Sequence, residues 1–170
     1  MNKNNIYLSY YQSPVGKITI ASDGENLIGL WIEGQTHFET KHKNELVQND
    51  SIELFKTIKN WLDDYFFGNK PKITDLPIKL IGTDFEVAVW KLLCKIPYGS
   101  TTTYGDIAKQ IAKHLGKEKM SAQAVGGAVG RNPISIIVPC HRVIGSNGKL
   151  VGYAGGLDLK HKLLIHEKVK

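Results

Sequence analysis

The chain has 170 residues and 42% hydrophobic content, which suffices for one core of moderate size or two small ones. Two cysteines exclude a disulfide framework and a four-thiolate zinc site, and no apolar run approaches the roughly 18 residues of a membrane-spanning helix. The net charge of +6 divides into −1 on residues 1–82 (nine basic, ten acidic) and +7 on residues 83–170 (thirteen basic, six acidic).

The first 82 residues predict a small α/β domain. The polar start, Met1–Asn5, lacks the apolar core of a signal peptide, so we expect a cytoplasmic protein. Turn-forming residues separate three alternating segments, which predicts antiparallel hairpins. An apolar stripe then predicts a helix over Ser51–Phe67, ended by Gly68, and the aperiodic stretch 69–82 connects to the next domain. The three predicted strands are Ile6–Tyr11, Lys17–Ala21 and Leu27–Trp31.

Residues 83–170 open with a predicted helix, Asp84–Lys95. Thr103 and Asp106 form the pattern of a capping box for a helix that runs to about Leu115. Ser121 is placed to cap a further helix, Ala122–Arg131, so the order is helix, connector, helix, which is typical of a helix-turn-helix.

The helix Ala122–Arg131 contains Gly126, Gly127 and Gly130. Each glycine costs up to about 1 kcal/mol relative to alanine in a helix, so close approach by another group is expected. Against a neighbouring helix the glycines are ordinary packing, and against DNA they give a smooth surface for a groove. The residues alone leave these alternatives open, and the positive charge of this half is weak evidence because many basic surfaces bind nothing specific.

A thiol stands beside an imidazole where an apolar run ends. The β-branched run Ile134–Val138 predicts a core strand, and Pro139 has no N–H to continue a sheet. Cys140 is thus expected at a strand exit, next to His141 and Arg142. A cysteine reacts as the thiolate and, with an ordinary pKa of about 8.5, needs a nearby base or positive field. The alternative is a cysteine that only fills the core and a histidine on the surface.

Four linked motifs decide between these interpretations. They are Asn-Pro at 132–133, Pro-Cys-His-Arg-Val at 139–143, Gly-Tyr-Ala-Gly-Gly at 152–156 and Leu-Leu-Ile-His-Glu at 163–167. In this order and spacing, residues 83–170 resemble the O6-alkylguanine-DNA alkyltransferase family, and the N-terminal half does so weakly. The resemblance implies an RNase H-like α/β domain over 1–82 and a mostly α domain over 83–170 with a winged helix-turn-helix-like motif.

The resemblance also implies a reaction. The sulfur of Cys140 takes the alkyl group from O6-alkylguanine in DNA, with O4-alkylthymine a further candidate substrate, and each molecule acts once without cofactor or metal. His141 removes the thiol proton through a water, Glu167 orients the imidazole and Asn132 braces the site. Without the motif at 163–167, Glu167 would be interpreted as a solvated carboxylate in a charged helix.

Family resemblance further implies that the protein, as a monomer, lays its second helix in the minor groove of double-stranded DNA and rotates the damaged base out of the stack. No membrane is involved, and the location is cytoplasmic with access to the nucleoid. The implied substrate pocket comprises Tyr104, Val143, Val151, Tyr153, Ala154 and Gly155. The implied DNA contacts are Thr103, Ala122, Gln123, Ala124, Gly126, Gly127 and Arg131.

Gln123 departs from the family pattern, which usually has an arginine there to fill the space of the flipped base. Glutamine has a shorter reach and no charge, so we expect weaker DNA binding or slower flipping. The basic connector 114–119 also looks longer than in compact relatives, which leaves its path and its DNA contacts open.

The other cysteine, two histidines and three other classes of function fit the sequence less well. Cys94 falls in an apolar helical stripe and is expected to be inert packing, while His37 and His42 lie in polar surroundings typical of a solvated surface. A lesion sensor of the alkyltransferase-like kind has tryptophan in place of Cys140. A transcriptional regulator needs base-reading side chains on its second helix, and a thiol hydrolase needs an acyl pocket.

Overall fold

The computed structural model describes residues 5–35, 46–148 and 156–168. The chain divides into two compact units, one of residues 1–80 with 133–135 and the other of residues 81–132 with 136–170. Among the described helices, none combines the length and the apolar character required to cross a membrane.

Among the described residues of the first unit, four strands form one sheet, in the order β3-β2-β1-β4. β1 pairs antiparallel with β2, and β2 with β3, so the predicted hairpins are confirmed. The short β4 lies parallel to β1 and was not predicted, because three residues are too few to show an alternating pattern. The strands are β1 (Ile6–Ser13), β2 (Gly16–Ser22), β3 (Leu27–Ile32) and β4 (Leu46–Gln48).

Helix α1, Glu53–Phe67, confirms the predicted helix of the first unit. Its apolar stripe is buried, and the side chain of Trp61 donates a hydrogen bond to the carbonyl of Lys72 at 3.0 Å. The helix ends at Gly68, whose φ of 98° lies in the left-handed region and lets its N–H bond back to the last turn.

The described part of the second unit contains four α-helices. Ser121 accepts hydrogen bonds from the first turn of α4, as predicted, and Thr83 and Glu86 form a complete capping box at the start of α2, which was not predicted. Thr103 accepts from the N–H of Asp106 at 3.0 Å, which caps α3. The helices are α2 (Asp84–Leu93), α3 (Tyr104–His114), α4 (Ala122–Gly130) and α5 (Leu157–His166), and strands β5 (Thr102–Thr103) and β6 (Val143–Ile144) pair in parallel.

Helices α2 and α4 are joined at a buried tryptophan. The indole of Trp90 donates a hydrogen bond to the carbonyl of Ala128 at 2.8 Å. Buried indole N–H groups need such a partner, because an unpaired one costs about 1–3 kcal/mol. This bond fixes the last turn of α4 against α2.

The predicted strand over Ile134–Val138 is wrong. Only Ile134 pairs, bridging Leu30 of β3, and the chain then turns through Ile136 with a φ of 68°. The run is apolar because its side chains are buried in a turn, and a short buried run looks the same in either conformation. Cys140 therefore begins a 3-10 helix, Cys140–Arg142, instead of leaving a strand.

Candidate active site

The position of Cys140 is set by the turn that precedes it. The carbonyl of Val138 accepts hydrogen bonds from the N–H of Cys140 at 2.8 Å and from the side-chain amide of Asn132 at 2.9 Å. The left-handed φ of Ile136, which costs a β-branched residue about 1–3 kcal/mol, lies in the same turn. Held this way, Cys140 is 5% exposed.

His141 is fully buried and contacts the carboxylate of Glu167. Its Nε2 lies 2.5 Å from Oε2 of Glu167, although 26 residues separate them along the chain. Burial lowers the pKa of His141 against the opposing effect of Glu167, so the imidazole is neutral at pH 7. A neutral imidazole that donates Nε2–H to a carboxylate presents Nδ1 as its acceptor.

Arg142 supplies the charge that balances Glu167. Its Nε and Nη2 donate to the two carboxylate oxygens at 2.7 and 3.1 Å, and Nη1 donates to the carbonyl of Ile96 at 2.7 Å. Burial alone would raise the pKa of Glu167, but the hydrogen bonds from His141 and Arg142 and the charge of the guanidinium hold this pKa well below its usual range. The N–H of Gly99 also donates to Glu167, at 3.3 Å. The carboxylate is therefore ionised and held on several sides.

Nδ1 of His141 is the orphaned atom of this array. It is buried and has no hydrogen-bond partner among the described residues. Because a buried polar atom without a partner costs about 1–3 kcal/mol, such an atom indicates a site for water or substrate. The array can therefore accept a proton at Nδ1.

Lys160 is a site residue that sequence reasoning missed. Although it is a lysine, it is 0% exposed, and its Nζ donates to the hydroxyl of Tyr104 at 3.5 Å and lies 5.6 Å from the centre of that ring. Burial lowers the pKa of Lys160 to about 8, and a negative charge on Cys140 opposes this shift. In the sequence, Lys160, Leu163 and Glu167 share one helical stripe at spacings of three, four and seven, but this spacing does not show that the stripe is buried.

Tyr104 contacts Lys160 and is close enough to Cys140 to be affected by a charge on the sulfur. Burial first, and a charge on Cys140 second, raise the pKa of Tyr104 to about 12, so the phenol stays protonated. It follows β5, whose partner β6 carries the buried Val143. An ammonium and a phenol thus lie within electrostatic reach of the sulfur.

Helix α4 presents a smooth exposed face. Ala122, Gln123 and Ala124 are exposed in its first turn. A methyl group added to Gly126 would make only an ordinary contact, 3.8 Å from the ring of Tyr104, and one added to Gly130 would meet nothing within 4 Å. Packing inside the protein therefore does not require these two glycines.

Arg131, predicted to contact DNA, is engaged within the protein. Its Nε lies 2.5 Å from Oε2 of Glu86, while its side chain remains 52% exposed. A methyl group added to Gly127 would approach Nη1 of Arg131 to 3.1 Å, so the side chain of the arginine lies over the backbone of α4 at Gly127. Its DNA contact stays a prediction.

The other cysteine, Cys94, adds nothing to this site. Burial raises the pKa of Cys94 to about 11, which keeps that thiol protonated, in agreement with inert packing. Within residues 5–35, 46–148 and 156–168, no cluster of side chains is suited to a metal ion. His37 and His42, and four of the predicted pocket residues, lie outside the described residues; those four are Val151, Tyr153, Ala154 and Gly155.

Comparison with known proteins gives matches over almost the whole chain. Residues 84–169 match the family model described as 6-O-methylguanine DNA methyltransferase, DNA binding domain, and residues 6–80 match its ribonuclease-like domain. A methylated-DNA–protein-cysteine methyltransferase of Methanosarcina mazei is 45% identical, covering 96% of this chain and 98% of the relative. A protein of the same name from Haemophilus influenzae is 39% identical, covering 96% and 87%. The crystal structure of Mycobacterium tuberculosis OGT in complex with DNA is similar with a TM-score of 0.82 and 41% identity, covering 95% and 92%.

Proposed function

Because the chain belongs to the 6-O-methylguanine DNA methyltransferase family, we propose that it repairs DNA by moving the alkyl group of O6-alkylguanine onto its own Cys140. The observation that carries this proposal is a buried array in which His141 and Arg142, directly after Cys140, both bind the carboxylate of Glu167. Buried ionisable groups are costly, and such groups beside a nucleophile are typical of reactive sites.

The reaction is a single displacement. The thiol proton of Cys140 passes through a water to Nδ1 of His141, and the sulfur then forms a bond to the alkyl carbon. The bond between that carbon and O6 breaks, its electron pair stays on the guanine, and the guanine takes up a proton. The position of Nδ1 supports this route, since it is a buried acceptor that lacks a protein partner among the described residues.

Charge in the transition state is shared between sulfur and guanine. Lys160 faces the negative charge of the sulfur, and Tyr104 donates a hydrogen bond to the departing guanine. Water would weaken both the charge interaction of Lys160 and the hydrogen bond of Tyr104, whereas their burial strengthens both. Asn132 acts on the reaction indirectly, by holding the turn before Cys140.

DNA binding is assigned to the exposed face of α4, in the minor groove. The glycines support this proposal, because the protein leaves room for a side chain at Gly126 and Gly130 and a duplex would fill it. Gln123 takes the space of the flipped base. Thr103 and the alanines at 122 and 124 lie along the phosphates and the groove edge, where contacts position the duplex without reading its sequence.

Each molecule acts once. A thioether is a poor leaving group, so alkylated Cys140 persists. Cys140 is 5% exposed, and an added alkyl group has to displace its neighbours, which costs about 1–3 kcal/mol in a packed interior. We therefore expect the alkylated protein to be less stable than the unreacted one.

The test is an intact-mass measurement after incubation with a duplex that carries one O6-methylguanine. One methyl group per protein, located on Cys140 by peptide mapping and absent from Cys140→Ser, supports repair. Native protein that binds the lesion but stays unmodified is a sensor, and protein that clears several lesions per molecule is a turnover enzyme. Either result contradicts the proposal. Mass measured on the native complex gives the expected ratio of one protein to one duplex.

A further inference from the structure

A groove outside the alkyl-transfer site runs beside the connector between the two helices of the helix-turn-helix. It has a volume of about 610 Å³, within the roughly 300–1,000 Å³ that ligand sites occupy. Small residues form part of its lining: Gly105, Ala108, Ala112 and Ala122. Its rim consists of four lysines, at 109, 113, 117 and 119, and a single acidic residue, Glu118. We call this cavity the connector groove.

The connector is folded so that its lysines face the end of α3. The N–H of Lys117 donates to the carbonyl of Ala112 at 2.8 Å, and Gly116, with a φ of 68°, makes this return possible. Lys117 and Lys119 are thereby brought beside Lys109 and Lys113, which lie one helical turn apart, about 6 Å along α3. Four of the thirteen basic residues of the C-terminal half thus surround one cavity.

These lysines are exposed and are not neutralised by the protein. In the part of the chain that the structure describes, no carboxylate lies within ion-pair distance of any of the four. The rim therefore keeps a net charge of +3 after Glu118 is counted, four lysines against one acid. Such a charge around a concave surface concentrates an anionic partner.

The groove adjoins two residues that the proposed function places at the DNA. Gly105 directly follows Tyr104, and Ala122 directly precedes Gln123, so the groove begins at the first turns of α3 and α4. We propose that the connector groove holds the phosphate backbone of the same duplex, on the strand that continues beyond the damaged base. This inference rests on the proposed function. The lysines of the connector groove then supply positive charge that the uncharged Gln123 does not. They do so through phosphate contacts, which do not depend on base sequence.

The decisive experiment is the salt dependence of duplex binding by Lys113→Gln with Lys117→Gln. Affinity for a duplex with one O6-methylguanine is measured by fluorescence anisotropy over a range of salt concentrations. The slope of log affinity against log salt is negative, and each lost phosphate contact makes it less steep by about 0.9. The slope of the double variant is therefore expected to be less steep than that of the parent by about 1.8. The matched control is Lys56→Gln with Lys72→Gln, two exposed lysines of the first unit, which keeps the parent slope.

The rate of methyl transfer at saturating duplex separates this inference from the proposed function. Both double variants are expected to keep the parent's first-order rate, because none of these lysines belongs to the site around Cys140. A parent protein that transfers no methyl group refutes the proposed function, and its binding slopes still test the groove. An unchanged slope in the groove variant, as expected if the groove serves an acidic protein or only solvent, overturns the inference, and so does an equal loss in the control.

Discussion

Replacing Glu167 by glutamine tests whether the buried array holds both the fold and the reactivity of the site. Glutamine has nearly the same shape, but it leaves Arg142 buried beside a neutral amide. Removing one partner of a buried ion pair costs about 3–5 kcal/mol, because the other charge stays uncompensated. In a protein of this length each kcal/mol corresponds to about 2–4 °C, so the melting temperature is expected to fall by roughly 6–20 °C.

The same substitution is expected to slow methyl transfer. Glu167 is the group that raises the basicity of His141 against burial, so an imidazole beside glutamine is a weaker proton acceptor. General base catalysis contributes about 10²–10⁴-fold, and we expect the single-turnover rate at pH 7.5 to fall by about 10²-fold or more. The rate is measured by rapid quench at saturating duplex, and stability by urea unfolding.

The matched control is Glu86→Gln. Glu86 also pairs with an arginine, Arg131, but this arginine is half exposed, and glutamine preserves the capping box with Thr83. Such a pair contributes about 1 kcal/mol or less. Equal losses of stability in the two variants, or an unchanged transfer rate in Glu167→Gln, would refute the reasoning.

Four further outcomes are expected. Lys160→Met is expected to slow methyl transfer about tenfold at pH 7.5, the equivalent of about 1.4 kcal/mol of charge stabilisation, and a rate equal to that of the exposed control Lys162→Met contradicts this role. Gly130→Ala is expected to raise the free energy of unfolding by about 0.5–1 kcal/mol and to weaken duplex binding. Unchanged binding in fluorescence anisotropy would show that this face of α4 does not contact DNA. Gln123→Arg is expected to tighten lesion binding and speed repair, and no change in either argues against insertion of residue 123 into the duplex. The free energy of unfolding is expected to be at its full value above about pH 6.5 and to fall as the pH is lowered. Because the pKa of His141 is lowered in the folded protein, only the unfolded chain takes up this proton just below about pH 6.5, and the lowered pKa of Glu167 causes a second loss of stability below about pH 4.5. Urea midpoints that rise between pH 7 and 4 would contradict this direction.

The sequence predicted those parts of the molecule that local patterns determine. Period-two segments gave the hairpins, and the cap at Ser121 gave the start of α4. The family resemblance and the two-domain architecture are likewise confirmed. The contact between His141 and Glu167 was predicted from motifs alone, since nothing local brings together residues 26 positions apart.

The errors and omissions come from tertiary packing. Ile134–Val138 was predicted as a strand because burial selects apolar residues in turns as well as in strands. Lys160 was overlooked because a lysine in a charged helix usually faces solvent, and only the neighbours of α5 make it a buried cation. The ion pair of Arg142 with Glu167 is invisible in the sequence for the same reason.

The buried indole that joins α2 and α4 also provides an optical probe. Trp90 is the single tryptophan between residues 81 and 170, since the other two stand at 31 and 61. With Trp31 and Trp61 replaced by phenylalanine, emission from Trp90 reports only on its own unit. A shift of that emission to longer wavelengths would mark the entry of water beside the last turn of α4, and could be followed in real time as the sulfur acquires its methyl group.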